Sequence, residues 1–454
     1  MKQCFNWHNS PAMIPIIRAC TLFLCSLALG LLQAFASDSI EVSDALRSEP
    51  FPSTLTLGQA LSMLDDQDPA IMLSRARMVA NEADRLRLDG RYAFSSSLDI
   101  DLRTADKVAI PGHDFINDSF MTLTVDKPLT RFGADEGLYN SLDSSARALT
   151  AETEKVRTEV RHQVIQAFFS VILADYAYIA QDEAMTLAFL EFDDARELMD
   201  DYDEVPEVEV RRLEARYLDA FAERTRLGHE RRASRLRLAL ALNRSDAYPD
   251  RMVEPDLSGY SRDTPDYDDI LARVLEGSAG IRAARLEVDA ARQRLDALSL
   301  TGRPLLGAQF EAGEYRRRVP LSRDQFRASL YLEIPLIAEQ VRRGDTVAAS
   351  SRLLQSEASL HALEHELRIR VLRLVQRLAH LDTELRAADA ELLHSELELD
   401  RVQLLYEMEV RARIGRANAD VAAAVYRQVR ARYQRALVWD RLDGLMNNEP
   451  VTFQ

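Results

Sequence analysis

The sequence predicts an α+β fold, predominantly α, assembled from two internal structural repeats. Three observations predict it. First, the chain repeats itself at an offset of about 207 to 210 residues: Leu55 through Ala60, Pro69 and Ile71 correspond to Tyr267 through Ile270, Ala279 and Ile281. Val125-Asp126-Lys127-Pro128-Leu129 corresponds to Leu332-Glu333-Ile334-Pro335-Leu336, and Thr158-Glu159-Val160-Arg161 to His365-Glu366-Leu367-Arg368. Such a period is too long for a solenoid module. Second, short runs of alternating polarity precede each long helical stretch. Third, those stretches carry a sustained heptad, which specifies a left-handed supercoil rather than an isolated amphipathic helix.

Residues 1–36 are expected to be an export signal. Lys2 and Arg18 are the only side-chain charges there, Ala19 to Leu32 is apolar but short for a bilayer span, and Ala34-Phe35-Ala36 offers a small-x-small cleavage site. All three cysteines, Cys4, Cys20 and Cys25, fall in this segment, so the mature chain is expected to have neither disulfides nor thiolate metal sites. Leu24 before Cys25 disfavours an acyl anchor there. Loss of Lys2 and Arg18 takes the formal net charge from −16 to −18, a sign that argues against a nucleic-acid binder, whose phosphate contacts need clustered Lys and Arg. No apolar stretch of transmembrane length is expected after residue 36, so any encounter with a membrane must be made by strands.

The first repeat spans 37–243, an Asp/Pro/Ser/Tyr-rich linker follows at 244–263, and the second repeat spans 264–454. Each opens with a helix: Thr56 is the expected N-cap of one reaching Arg91 with a bend near Pro69, and Asp263 or Thr264 of one reaching Leu300. Strands follow. Leu98 to Leu102, Met121 to Asp126 and Phe326 to Ile334 alternate, and Leu305 to Glu311 does so more weakly. Four strands with one apolar face cannot close alone, so closure requires several copies of the chain. Gly133 and Gly344 mark the expected starts of two long helices reaching Asp203 and Arg413, each a rod of roughly 105 Å at about 1.5 Å per residue. Leu360, Leu367, Leu374, Leu381 and Ala388 alternate with Val371, Leu378, Leu385, Leu392 and Leu399 along one seam. Val160, Ala167 and Ala174, with Val164, Val171, Tyr178, Met185 and Phe192, form its counterpart. The rods turn at polar tips around Val205-Pro206 and Ile414-Gly415 into shorter helices ending near Asn243 and Asn447. The lengths let two short helices stack end to end beside one long one.

Leu55-Thr56-Leu57 with Ala60 and Leu61, Pro69 before the run Ala76 to Leu88, the Pro-Leu strand ends at 128–129 and 335–336, and Glu209-Val210 before Leu213-Glu214-Ala215 resemble the outer-membrane efflux protein family, the TolC-like channel-tunnels of Gram-negative bacteria. The resemblance covers essentially the whole mature chain. It implies a homotrimer with a long coiled-coil helical barrel in the periplasm, continuous with a small antiparallel transmembrane β-barrel in outer-membrane lipid. It implies a passive duct for efflux or type I secretion, working with a periplasmic adaptor (membrane fusion) protein and an inner-membrane pump. The alternative is a periplasmic coiled-coil tether or scaffold without a pore, which would not need the alternating strand pairs.

The tips are the candidate site. Asp200, Asp201, Asp203, Glu204, Glu207 and Glu209 crowd the first, whereas Arg411, Arg413 and Arg416 mark the second. Either the oppositely charged tips pair and close a periplasmic aperture, or both are solvated faces whose ion pairs are worth ~0–1 kcal/mol each. The resemblance places Asp420 near an aspartate that lines the constricted tunnel end, although its spacing from Gly415 is one residue short and Ala423 replaces a second aspartate. His361 and His365, one turn apart, could hold a metal. The order His-Ala-Leu-Glu-His is not that of a metalloprotease, and a solvated helix face is the better reading. With no phosphate-binding glycine loop, nucleophile elbow or acid/base pair, neither an enzyme nor a cofactor is expected.

Overall fold

The computed structural model describes residues 54–64, 68–105, 116–117, 119–133, 135–202, 204–244, 249–300, 303–315, 325–335, 339–408 and 414–446. All belong to one compact unit, Phe51–Gln454. The expected export signal and its cysteines lie outside the described residues.

A two-residue strand β1 (Thr54–Leu55) leads into α1 (Leu57–Ser62). Thr56 caps α1 as expected, its hydroxyl accepting from the Gln59 amide while the Gln59 side chain accepts from the Thr56 amide. The chain restarts at Pro69 as α2 (Pro69–Gly90), because Pro has no amide to donate and fits the first helical turn, with Asp68 as N-cap. β2 (Ser95–Asp101), the short pair β3 (Thr104–Ala105) and β4 (Ile116–Asn117), and β5 (Phe120–Thr130) follow. A left-handed turn at Phe132 (φ 52°) and Gly133 (φ 81°) then opens α3 (Glu136–Tyr202, 67 residues), and α4 (Glu207–Ala241) returns.

β6 (Arg251–Met252) pairs in parallel with β1, and one 3₁₀ turn, Ser258–Tyr260, completes the connection. The second half holds α5 (Tyr267–Gly277), α6 (Ala279–Ser299), β7 (Leu305–Tyr315), β8 (Phe326–Glu333), α7 (Glu339–Glu407, 69 residues) and α8 (Ile414–Met446).

Several expectations are corrected, beginning with the helix expected to run unbroken to Leu300, which is interrupted at Ser278 between α5 and α6. Asp266, not Asp263 or Thr264, caps the second opening helix, since its carboxylate accepts from the Asp268 amide while Pro265 biases the preceding residue away from helix. Gly344 lies inside α7, not at its start, and α7 stops at Glu407, short of Arg413. Ile414 and Gly415 are the first turn of α8 rather than the tip. A window of α3 is, by length and composition alone, long and apolar enough to cross a membrane. Its cause lies in packing, because α3 is covered on several sides, and such a helix is apolar nearly all round.

The side-by-side order explains that coverage. α2 and α4 pack antiparallel against α3 on one flank. Ser74 meets Thr153 and Asp89 meets Tyr139 near the sheet, while Arg231 meets Asp175 and Arg224 meets Asp182 towards the tip. α6 and α8 cover another flank of α3 and separate it from α7, which packs only against α5, α6 and α8 among the principal helix contacts. The order is therefore short pair, long helix, short pair, long helix. Val164, Ile165, Phe168, Phe169, Val171 and Ile172 of α3 centre the core with Leu238, Ile270, Ile281, Leu378 and Leu442.

The sheet follows the same sequence, β2-β5-β7-β8, antiparallel throughout. Its register sorts side chains by face. Leu98, Leu123, Ala312 and Phe326 are cross-strand neighbours, as are Val125, Phe310 and Ala328, and these apolar residues share one face with Ile100, Leu330 and Leu332. Most are exposed, Phe326 to 71% and Leu330 to 75%. The opposite face carries Thr124, Glu311 and Arg327, and Asp126, Gln309 and Ser329. Gly307 leaves room for the Tyr331 ring, which crosses it to donate to Asp126 (3.1 Å).

Candidate functional site

The described part of the first tip is acidic but internally matched. Asp200 faces Arg196 (3.7 Å), Glu207 faces Arg211 (3.4 Å), and Arg212 pairs with Glu209, each pair three or four residues apart on one helix. Glu207 and Glu209 also sit in the first turn of α4, where a helix N-terminus favours negative charge. The Arg212 hydrogen bond holds the Glu209 carboxyl below its usual range. Glu204 is exposed, and the side chain of Asp201 and all of Asp203 lie outside the described residues, as do Arg411 and Arg413.

Arg416 donates to Glu191 on α3 at 2.6 Å, so a basic residue of the second tip meets an acidic residue of the first half inside one protomer. Within the protomer its described partner is Glu191 rather than Asp200, Glu204, Glu207 or Glu209. Glu191 is not legible as a tip residue in the sequence, because its role depends on α8 lying against α3, which only the lateral order of helices supplies. Asp420 is exposed one turn further along α8. Near the tip Phe189, Phe192, Tyr217 and Phe221 form an aromatic cluster between α3 and α4, with Phe192 and Tyr217 stacked at 6.1 Å. His361 lies 3.8 Å from Glu364 with its side chain 72% exposed, and no group of three metal-ligating side chains occurs among the described residues.

Where the connection between halves crosses the bundle, a polar cluster is buried. Asp440 of α8, 5% exposed, accepts from Arg161 (3.0 Å), His162 Nδ1 (2.7 Å) and the Tyr260 hydroxyl (3.2 Å). Burial beside Asp440 pushes the Tyr260 phenol up. Asp443 accepts from Arg262, whose guanidinium lies 4.2 Å over the Trp439 ring, and Arg435 holds Asp382 and the Tyr260 carbonyl. Buried charges are tolerated when paired and hydrogen-bonded this way. The cluster fixes the connection to both long helices.

The outer face of α7 is the other unspent feature. Its heptad seam is buried at Leu367, Val371, Leu378, Leu381, Ala388 and Val402. On the opposite side Ile369, Leu372, Leu393, Leu397 and Leu404 are 41–60% exposed. Shifted by 207 residues, the α3 counterparts of Ile369 and Leu372 are His162 and Ile165, both buried. The chain thus ends laterally in an uncovered apolar long helix on one flank and a stacked short pair on the other, with sheet edges β8 and β2 on the same two flanks.

No protein-family model and no curated protein sequence matches the chain. Among solved structures, the outer membrane protein VceC of Vibrio cholerae superposes with a TM-score of 0.67 at 13% identity, over 86% of this chain and 96% of that one. A membrane protein of Pseudomonas aeruginosa does so with 0.69 at 15% identity, over 86% and 90%. The Campylobacter jejuni CmeC outer membrane channel gives 0.67 at 12% identity, over 87% and 86%. The chain shares its fold with these membrane proteins over 86–87% of its length.

Proposed function

We propose that the chain is the outer-membrane channel component of a tripartite efflux or type I secretion system, a passive duct formed by three copies. The observation that carries this reading is the agreement of the two flanks. Repeating the order short pair, long helix, short pair, long helix places the uncovered face of α7 against α2 and α4 of the next copy, and β8 beside β2. Three copies then close a barrel of twelve strands with the Leu98, Phe326 and Leu330 face towards lipid and the Asp126, Glu311 and Arg327 face towards water, the alternation that membrane barrels require. α3 and α7, at about 1.5 Å per residue, extend roughly 100 Å into the periplasm, where an adaptor and an inner-membrane pump would engage the tips. In this reading the two halves are internal repeats, the charged tips with Asp420 surround the periplasmic aperture, and Arg416–Glu191 is one of the bonds that holds it.

A tether without a pore would have no use for a sheet with one exposed apolar face. The full chain, expressed with its first 36 residues, should fractionate with outer membranes as a heat-modifiable trimer and give discrete conductance steps in a planar bilayer. Recovery as a periplasmic protein extracted without detergent and without conductance would overturn the channel in favour of the tether.

A further inference from the structure

Where the helices meet the sheet, α2, α3 and α6 and the strand connections line an open cleft of about 430 Å³, whose arginines are all exposed to solvent. Its polar lining is arginine-rich: Arg87, Arg91, Arg131, Arg294 and Arg303 face only two carboxylates, Asp84 and Asp135. Both carboxylates are already matched. Asp84 pairs with Arg87 at 2.6 Å, and Asp135 accepts from the Tyr92 hydroxyl with Arg91 3.6 Å away. Arg303 donates to the Phe132 carbonyl. Arg131 and Arg294 make no ion pair or hydrogen bond among the described residues, so with Arg303, which bonds only a neutral carbonyl, three positive charges face no carboxylate, and two of these guanidinium groups have open donors. The rest of the lining is Ser141, whose hydroxyl donates to the Ala290 carbonyl, and the aliphatic Leu88, Leu138, Leu142 and Leu298.

Position makes this combination specific. Arg131 follows the last residue of β5, Arg303 lies two residues before β7, and Arg91 lies four before β2. Tyr92 joins the cleft to the apolar sheet face, because its hydroxyl reaches Asp135 while its carbonyl accepts from Lys127. Lys127 shares its face with Ala308 and Leu330, and its ammonium sits 4.6 Å over the exposed Phe94 ring. A cation held at the end of an apolar strand face by an aromatic ring and a backbone carbonyl marks the level at which hydrocarbon gives way to headgroups.

We infer that this cleft binds the phosphate of an anionic phospholipid on the helix side of the membrane, an inference that rests on the channel reading above. The planar guanidinium groups of Arg131 and Arg294 donate to the phosphodiester oxygens, as arginine does wherever phosphate is recognised. The leucines receive the first methylenes of the acyl chains, and every copy in the assembly carries one such site.

The test uses the full chain purified as its oligomer in maltoside detergent, titrated with phosphatidylglycerol and read by native mass spectrometry, with inorganic phosphate in a parallel arm. Saturable retention of one lipid per protomer is expected, weakened about tenfold or more in the double variant Arg131→Gln/Arg294→Gln and less in Arg131→Lys/Arg294→Lys. The control Arg232→Gln/Arg273→Gln, which removes the same charge from exposed positions on α4 and α5, should retain lipid as the parent does. Retention indifferent to the Arg131 and Arg294 changes overturns the site. Displacement of the lipid by inorganic phosphate at matched concentration overturns the lipid as its occupant. Bilayer conductance of the same preparation separates the two readings: a conducting channel with unchanged retention sinks the lipid site alone, whereas a chain that inserts into no bilayer sinks the channel reading beneath it.

Discussion

The two long helices carry the same seam and yet have opposite surroundings. α3 buries Val160, Val164 and Val171 along the shared seam, and then also Ile165, Phe169 and Ile172 on the opposite side. α7 buries Leu367, Val371 and Leu378, while Leu372, the counterpart of Ile165, is 41% exposed. A heptad therefore states that a helix has one partner and is silent about a second. What decides the second partner is lateral rank, since α3 lies inside the row and α7 at its end. In the channel reading, the apolar face that is covered at one rank and bare at the other is where a neighbouring copy would pack.

The largest effect that would test this difference is in the α3 core. Phe169 is fully buried and meets the Tyr433 ring edge-on at 4.7 Å, so Phe169→Ala should cost about 3–5 kcal/mol. Thermal melting of the detergent-solubilised protein by circular dichroism reads it. Gln376→Ala at the equivalent position of α7 should leave the melting transition nearly in place, and equal losses at both positions would contradict the ranking of the helices.

Next comes the bare face itself. Leu372→Glu with Leu393→Glu changes two side chains that are 41% and 59% exposed within the protomer, so helicity should be retained while the oligomer dissociates. Each buried leucine is worth ~1.5–3 kcal/mol at such an interface, and light scattering after size exclusion would show the loss of the trimer. A trimer that persists with both glutamates would remove α7 from the contact between copies.

A pH effect sharpens the same contrast. Tyr176 on α3 donates to Glu254 at 2.5 Å, and that bond, with partial burial and the nearby carboxylate charge, raises its phenol from 10.0 to about 12. The folded protein then holds a proton that the unfolded chain releases, so this contribution is complete below pH 10 and is lost as pH rises towards 12. Tyr176→Phe should flatten that part of the alkaline stability profile, measured as melting temperature against pH. Thr383→Val at the equivalent exposed position of α7 should leave the slope unchanged.

Much of the fold is legible in the sequence because it depends on period. The seam residues from Leu367 to Leu381, the Thr56 cap, the break at Pro69 and the alternating strands all follow from spacing alone. The polar cluster does not. Arg161, His162, Tyr260 and Asp440 lie as far as 279 residues apart, and each charged member reads as one more charge on an exposed helix until α3, α8 and the inter-half connection are laid together. Asp266 was displaced by the nearer-looking Asp263 because capping depends on which carboxylate can turn back to an amide, not on which comes first. At the tip, composition locates the charges, but their partners are local along α3 and α4, or, for Arg416, lie on a helix of the other half.

The smallest expected effect is at that tip and concerns the one described bond that joins the halves there. Arg416 and Glu191 have side chains 51% and 28% exposed, so solvent and salt screen the pair and it contributes ~0–1 kcal/mol to stability. Arg416→Glu should therefore leave the melting transition almost unmoved. If the bond helps to keep an aperture narrow, the same change places two carboxylates where one pair stood, and mean conductance or opening frequency should rise in a planar bilayer. Glu191→Arg combined with Arg416→Glu restores the attraction with its polarity reversed and should return conductance towards the parent. A single variant that conducts like the parent would assign the pair to the solvated surface, whereas rescue by the double variant would assign the difference between the tips to the aperture.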